Sequence, residues 1–145
     1  MVCVDVNVLV QACVEASPRH HQARSWLLAQ RAAPAGLGLF SLVVSGFLRV
    51  VTDRRVFSEP LDGAAAIAFI DSLTASPAVS ILEPGPRHWQ LFRQMVLDLQ
   101  PRSQDMTDVY LAAAAQEIGA TWVSFDRGFA RFRGLRWLNP ADDRA

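Results

Sequence analysis

Short apolar runs alternate with longer amphipathic segments along this chain. The apolar runs are rich in β-branched residues, which is typical of buried strands in a parallel sheet. Between them, apolar side chains recur with the spacing of one helical face. Strands alternating with helices predict an α/β fold with a mainly parallel sheet flanked by helices. The predicted strands are Val2–Asp5, Leu39–Phe40, Val79–Leu82, Thr121–Phe125 and Arg136–Leu138, and the predicted helices are Asn7–Ala12, Pro18–Arg31, Leu42–Thr52, Leu61–Leu73, His88–Leu99 and Asp105–Ile118.

Several helix boundaries carry their own signals. Ser17 is predicted to cap the second helix, with Pro18 in the first turn, where proline is favoured. Ser41 is predicted to cap the third helix, and Asp105 to cap the alanine-rich sixth helix. Gly119 is predicted to end that sixth helix, because glycine readily adopts the left-handed conformation of a C-terminal cap.

Length and composition restrict the kind of protein. A chain of 145 residues fits one domain, covering residues 1–145. The hydrophobic fraction is 51%, yet no uninterrupted apolar run is long enough to span a bilayer, so no membrane partner is expected. The chain opens on MVCVDVNVLV without a basic leader, and we therefore expect a cytoplasmic protein.

The charge balance is neutral, but its distribution is uneven. All 14 basic residues are arginine, a side chain that suits forked contacts with phosphate. Arg127, Arg131, Arg133 and Arg136 follow closely after Asp126. On charge alone, a solvated surface is the simpler interpretation; beside an acidic centre, the same arginines are candidate contacts for a nucleic-acid backbone.

Two acids come directly after predicted strands. Asp5 ends the first strand and Asp126 follows the fourth, with Ser124 two residues before it. Because ligands of open α/β sheets bind at the carboxyl ends of the strands, both acids are candidate site residues. The alternatives are that Asp5 only caps the next helix and that Ser124 is an ordinary strand-end hydroxyl.

Asp108 is the third candidate acid. It lies in the first turn of the sixth helix, where the helix dipole alone favours a carboxylate. With Asp105 as the cap, Asp108 is free to point elsewhere, and the small side chains of 112–115 allow close packing on the sheet. Three carboxylates in one crevice would repel each other unless a hard cation such as Mg²⁺ or Mn²⁺ joins them. Such a site can activate water against a phosphodiester.

These segments resemble the PIN-domain nucleases, and most closely the VapC toxins of a mycobacterial-like branch. The likeness is carried by VDVNVLV at the start, by SLVVSGFLRVVTDRRVFSEP in the middle and by DMTDVYLAAAAQEIGATWVSFDRGFARFRGLRWLNP near the end. The resemblance implies the PIN fold, with a three-layer α/β/α arrangement. It implies Asp5, Asp108 and Asp126 as metal ligands, with Asn7 and Ser124 in support.

The resemblance also implies an activity and partners. A PIN toxin of this kind is a Mg²⁺- or Mn²⁺-dependent endoribonuclease that cleaves tRNA or rRNA and so stops translation. It forms a homodimer and is neutralised by a VapB-type antitoxin. Candidate residues for contacting RNA or the antitoxin are Arg49, Arg127, Arg131 and Arg133.

One position departs from the family pattern. The family commonly carries a glutamate in the middle helix, where this chain has Gly46, and Ser41 stands at the helix start where relatives place an acid. Asp105 or Glu15 is the candidate replacement. The departure leaves a second hypothesis open, a PIN-like module that binds antitoxin or RNA without cleavage. A third is a phosphatase or small-molecule hydrolase on a similar sheet.

Overall fold

A five-stranded parallel sheet forms the centre of the computed structural model, which describes residues 1–142. Its strands are β1 (Val2–Val4), β2 (Leu37–Phe40), β3 (Val79–Leu82), β4 (Thr121–Val123) and β5 (Arg136–Leu138). They lie in the order β3-β2-β1-β4-β5, and all four neighbouring pairs are parallel. The predicted α/β class is confirmed. The last three residues of the predicted domain, 143–145, lie outside the described residues.

Six α-helices connect these strands within residues 1–142, and a short 3-10 helix precedes β5. They are α1 (Val6–Cys13), α2 (His20–Arg31), α3 (Ser41–Val51), α4 (Gly63–Thr74), α5 (His88–Leu99) and α6 (Asp105–Glu117), followed by the 3-10 helix Arg127–Arg131. In this part of the chain, none of the helices combines the length and the apolar character that crossing a membrane requires.

Three predicted helix caps are wrong, and at two of these helix starts a backbone turn takes the place of the cap. Ser17 satisfies the N–H of His20 with its backbone carbonyl rather than its side chain, so α2 begins later than predicted. Ser41 and Asp105 each occupy the first helical position, and neither side chain caps its helix. Ahead of α6, the carbonyl of Arg102 accepts the N–H of Asp105. Backbone turns can satisfy the N–H groups at a helix start, and no side-chain cap is then needed.

The strand order fixes where a ligand crevice opens. The chain builds outward from β1 through β2 to β3 and then returns to place β4 on the other side of β1. With right-handed crossovers, α1 to α4 cover one face of the sheet and α5 and α6 the other, which gives the expected three layers. Helix α6 packs through four fully buried alanines, Ala112–Ala115, and stops two residues before Gly119, whose φ of 63° is the left-handed conformation predicted there. The carboxyl ends of β1 and β4 therefore flank the topological switch point of the sheet.

Candidate active site

Asp5 lies at the carboxyl end of β1. Its carboxylate caps a helix and also faces the crevice. Its Oδ1 accepts the backbone N–H of Val6 at 2.7 Å, so Asp5 is the N-cap of α1. Its Oδ2 accepts from Asn7 Nδ2 at 3.1 Å and from Ser124 Oγ at 2.7 Å. The capping alternative is therefore correct for one oxygen, and the second oxygen accepts from one donor on α1 and one just after β4.

Ser124 is fully buried and connects three groups of the site. Its hydroxyl donates to Asp5 and accepts from Asn7 Nδ2 at 2.9 Å and from the backbone N–H of Asp126 at 3.0 Å. The Asn7 side-chain oxygen in turn accepts the N–H of Phe125 at 3.1 Å. Asn7 and Ser124 thus join the start of α1 to the end of β4 and fix the orientation of the Asp5 carboxylate.

Asp126 lies just beyond β4 rather than on it. The strand ends at Val123, whereas the sequence predicted a strand to Phe125. Asp126 is exposed and caps the 3-10 helix by accepting the N–H of Gly128 at 2.8 Å. Gly128 was missed by the sequence analysis, although an acid two residues before a glycine is a signal for such a turn. A Cβ at Gly128 would lie 2.7 Å from Nη1 of Arg131, so a side chain there would displace the guanidinium.

Asp108 is held by an arginine from the 3-10 helix. Arg131 Nη2 lies 3.4 Å from Asp108 Oδ2 and 3.9 Å from Asp105 Oδ1. The same guanidinium donates to the carbonyl of Gly128 at 2.6 Å through Nη1 and stacks over the ring of Phe132 at 4.3 Å. Arg131, predicted to contact RNA or antitoxin, lies against the acids.

The carboxylates influence one another electrostatically. Burial raises the pKa of Asp5 to about 6, hydrogen bonds from Ser124 and Val6 oppose this, and the charges of Asp108 and Asp126 add to it. Burial also raises the pKa of Asp108, against the effect of Arg131 and together with the charges of Asp126 and Asp105. The charges of Asp108 and Asp126 therefore act on Asp5 at the switch point, and the charge of Asp105 acts on Asp108.

The donor set has the chemistry of a divalent-cation site. It consists of carboxylate oxygens with excess negative charge in a partly buried crevice, which suits Mg²⁺ or Mn²⁺. As the side chains stand, no group of three or more His, Cys, Asp or Glu residues within 1–142 is placed to hold an ion. Mg²⁺ keeps several of its waters and needs few direct protein ligands. The residues therefore fit a divalent ion that is held partly through water. In this structure the guanidinium of Arg131 lies beside Asp108.

The missing glutamate has a packing explanation. Helix α3 approaches α1 so closely at Gly46 that a Cβ there would lie 2.8 Å from Cγ2 of Val6. A side chain at this position would push on the residue that follows Asp5. Among the two predicted replacements, Asp105 lies beside Asp108, whereas Glu15 follows the far end of α1.

The remaining predicted arginines lie outside the cluster of acids. Arg127 pairs with Asp142 at 2.7 Å. Arg133 is exposed and lines, together with Arg131, a groove of about 200 Å³ beside α5. Arg49 is exposed near the end of α3, where its charge acts on Asp53.

Comparisons with known proteins agree with this geometry. The PIN domain family matches residues 2–135. Ribonuclease VapC43 of Mycobacterium tuberculosis is 50% identical over 143 residues, which cover 98% of this chain and 97% of the relative. Two solved structures share the fold. VapBC-1 of nontypeable Haemophilus influenzae matches with a TM-score of 0.71 at 16% identity, over 97% of this chain and 99% of that chain. VapC20 of Mycobacterium tuberculosis, a Sarcin-Ricin loop cleaving toxin, matches with a TM-score of 0.65 at 17% identity, over 94% of this chain and 99% of that chain. The predicted resemblance is confirmed, and the chain belongs to the PIN-domain family, among its VapC ribonucleases.

Proposed function

We propose that this protein is the toxin of a type II toxin–antitoxin system and acts as a Mg²⁺- or Mn²⁺-dependent endoribonuclease on structured RNA. The observation that carries the proposal is that Asp108 and Asp126 lie near enough to Asp5, at the switch point between β1 and β4, for their charges to raise its pKa. The charge of Asp126 also raises the pKa of Asp108. Such a concentration of carboxylates is stabilised by a divalent cation and is poorly suited to binding RNA without one.

Each acid has a defined part in this proposal. Asp5, Asp108 and Asp126 would hold the ion, which supplies charge neutralisation at the scissile phosphate and a water of lowered pKa. Ser124 and Asn7 fix the rotamer of Asp5, and Gly128 fixes that of Asp126. Because these contacts exist before substrate binds, the carboxylates of Asp5 and Asp126 need little reorganisation during the reaction.

The substrate proposed is an exposed loop of tRNA or rRNA. Proteins that act on specific RNA sequences usually take unpaired bases from loops, since the major groove of A-form RNA is too narrow to admit side chains. The groove beside α5 presents Arg131 and Arg133 next to the acids, so a phosphate backbone there would meet both signs of charge. VapC20 of Mycobacterium tuberculosis, which shares this fold, is a Sarcin-Ricin loop cleaving toxin, and this supports a loop as the substrate class.

The partners proposed are a VapB-type antitoxin and a second copy of this chain. Toxin–antitoxin complexes such as VapBC-1 share this fold, which supports the antitoxin. Helix α5 supports the homodimer, because Trp89 is 65% exposed and shares a second groove with the exposed Leu97. Large apolar side chains grouped on one surface are typical of interaction sites.

The test is cleavage of a defined tRNA and rRNA fragment set with Mn²⁺ or Mg²⁺, with and without chelator. We expect Asp5→Ala and Asp108→Ala to lower the rate by at least about 100-fold, since removing even a supporting partner of a metal ligand costs 10- to 100-fold. Asp71→Ala, which removes an exposed acid from α4, is the matched control. Chelator-resistant cleavage would reject the metal proposal, and RNA binding without any cleavage would favour the binding module.

A further inference from the structure

Arg131 is a cation that this chain itself supplies to the acidic site. Its guanidinium contacts Asp108 at 3.4 Å and Asp105 at 3.9 Å, two acids on the first turn of α6. Two further contacts hold it from the other side, the carbonyl of Gly128 at 2.6 Å and the ring of Phe132 at 4.3 Å. The guanidinium is therefore positioned by several groups and is not a freely moving surface side chain.

We propose that Arg131 is an internal counter-ion that competes with the divalent cation for Asp108 and thereby sets the metal affinity of the site. This inference rests on the proposed function, because it concerns the same three acids. A guanidinium within 3.4 Å of a carboxylate oxygen occupies the space on that side of Asp108. A divalent ion bound to Asp108 would also repel the guanidinium, so binding of the ion requires Arg131 to move away.

The burial of the pair makes such an exchange feasible. The side chain of Arg131 is 38% exposed and that of Asp108 is 27% exposed, so water can solvate both charges when they separate. Ion pairs of this exposure contribute little net stability, and a divalent ion can replace them. Asp5 differs, because its partners are the neutral donors Val6, Asn7 and Ser124, which do not compete as cations.

The contacts with Phe132 and Gly128 explain why an arginine suits this role. A planar guanidinium stacks on an aromatic ring and keeps donors free in its plane, whereas an ammonium group is a compact point charge. When Arg131 leaves Asp108, the ring and the carbonyl can still hold it at the edge of the groove that it shares with Arg133. The released charge then lies where a substrate phosphate would approach.

The experiment measures Mn²⁺ affinity of the full chain without RNA, by electron paramagnetic resonance of the free ion. The variants are Arg131→Gln and, as the matched control, Arg55→Gln. Arg55 also pairs with an aspartate, Asp53 at 3.0 Å, and lies beyond the far end of α3 from the site. We expect Arg131→Gln to bind Mn²⁺ about threefold to tenfold more tightly, from the Coulomb energy of one charge near 4 Å in a solvated setting. Arg55→Gln should change the affinity by less than about twofold.

Two further measurements make the outcome decisive. Arg131→Lys keeps the charge without the stacking plane, and its affinity should lie between those of native protein and Arg131→Gln. The rise in melting temperature on adding Mn²⁺ should be larger in Arg131→Gln than in native protein, which tests folding and binding together. If Arg131→Gln binds Mn²⁺ as weakly as native protein or more weakly, the competition is refuted while the metal site stands. If native protein and Arg131→Gln both fail to bind Mn²⁺, the proposed metal-dependent function is refuted as well.

Discussion

Asp5 and Asp108 belong to one site but are held in two different ways. Asp5 is bound by the start of α1 and by the fully buried Ser124, so its position is part of the core. Asp108 lies on a helix surface, and its described side-chain partner is the half-exposed Arg131. One half of the site is therefore fixed by hydrogen bonds, and the other half is balanced by charge.

This difference determines what each acid does to the stability of the fold. Burial raises the pKa of both, but for Asp108 the arginine compensates part of the charge. Asp5 has only neutral donors, so its negative charge destabilises the folded protein at neutral pH until a cation arrives. The fixed carboxylate of Asp5 sets the geometry of the site. The carboxylate of Asp108 is balanced by Arg131, so a change in that one side chain can alter the metal affinity. The same kind of substitution should consequently have different effects in the two regions.

The largest effect is expected for the pH dependence that Asp5 contributes. Its pKa is raised from 3.8 to about 6, so the folded state binds the proton more tightly than the unfolded state. Protonated Asp5 therefore adds about 3 kcal/mol to the free energy of unfolding. This stabilisation is fully present below the unfolded pKa and is lost as pH rises through about 6.

Urea unfolding in chelator, between about pH 8 and pH 5, measures this slope for native protein and Asp5→Asn. Native protein should become more stable relative to the variant as pH falls. Asp71→Asn, which changes an exposed acid on α4, should keep the native slope. Parallel curves for native protein and Asp5→Asn would show that Asp5 is not the charge that burial penalises.

The next largest effect on stability is expected at Gly46, where α3 approaches Val6, the residue after Asp5. Gly46→Glu places a Cβ 2.8 Å from Val6 and should destabilise the protein by about 2 kcal/mol, the usual size of overpacking. Gly63→Glu is a matched control, because a Cβ at Gly63 meets nothing within 4 Å. Urea denaturation compares the two variants, and adding Val6→Ala should rescue Gly46→Glu. Equal stability of both glycine variants would mean that the contact between position 46 and Val6 relaxes without cost.

Ser124→Ala should have a smaller effect, about 1 kcal/mol of lost stability, because the N–H of Asp126 and the amide of Asn7 lose a buried partner. The substitution also removes a hydrogen bond that lowers the pKa of Asp5, so the pH midpoint of that acid should move upward. Thermal unfolding and the titration of the Asp5 carboxyl signal by NMR measure the two effects. Ser80→Ala, an exposed serine on β3, is the control. An unchanged titration midpoint would contradict the role given to the hydroxyl.

The sequence could predict the Asp5 half of this comparison better than the other half. Asp5 and Asp126 each follow an apolar strand, and the ends of parallel strands meet at one edge whatever the loops do. The alanine-rich face of α6 also indicated that Asp108 would pack close to the sheet. Ser124 was recognisable from its spacing to Asp126, although its complete burial depends on β5 pairing beside β4.

The contacts of Arg131 could not be predicted in the same way. They depend on a 3-10 helix that turns back toward α6 and on Gly128, where a Cβ would lie 2.7 Å from the guanidinium and displace it. The false caps at Ser17 and Ser41 have a related origin, since their helices begin in ways that local side-chain preferences do not show. The periodicity of apolar residues shows which side chains face the core. The contacts of Arg131 and the helix starts depend instead on the conformation of the loops between helices and strands.

Asp108→Asn should change stability by less than about 0.5 kcal/mol, the smallest effect in the series, because two opposed changes accompany it. Asparagine removes a carboxylate that burial penalises, and it also removes the ion pair with Arg131. In the double variant Asp108→Asn with Arg131→Gln, the ion-pair term is absent, so a double-mutant cycle isolates it. Urea denaturation at about pH 7.5 in chelator should give a coupling below about 1 kcal/mol, as for other half-exposed pairs. A coupling of several kcal/mol would show that Arg131 is held as firmly as Ser124. The contrast between a fixed half of the site at Asp5 and an adjustable half at Asp108 would then be wrong.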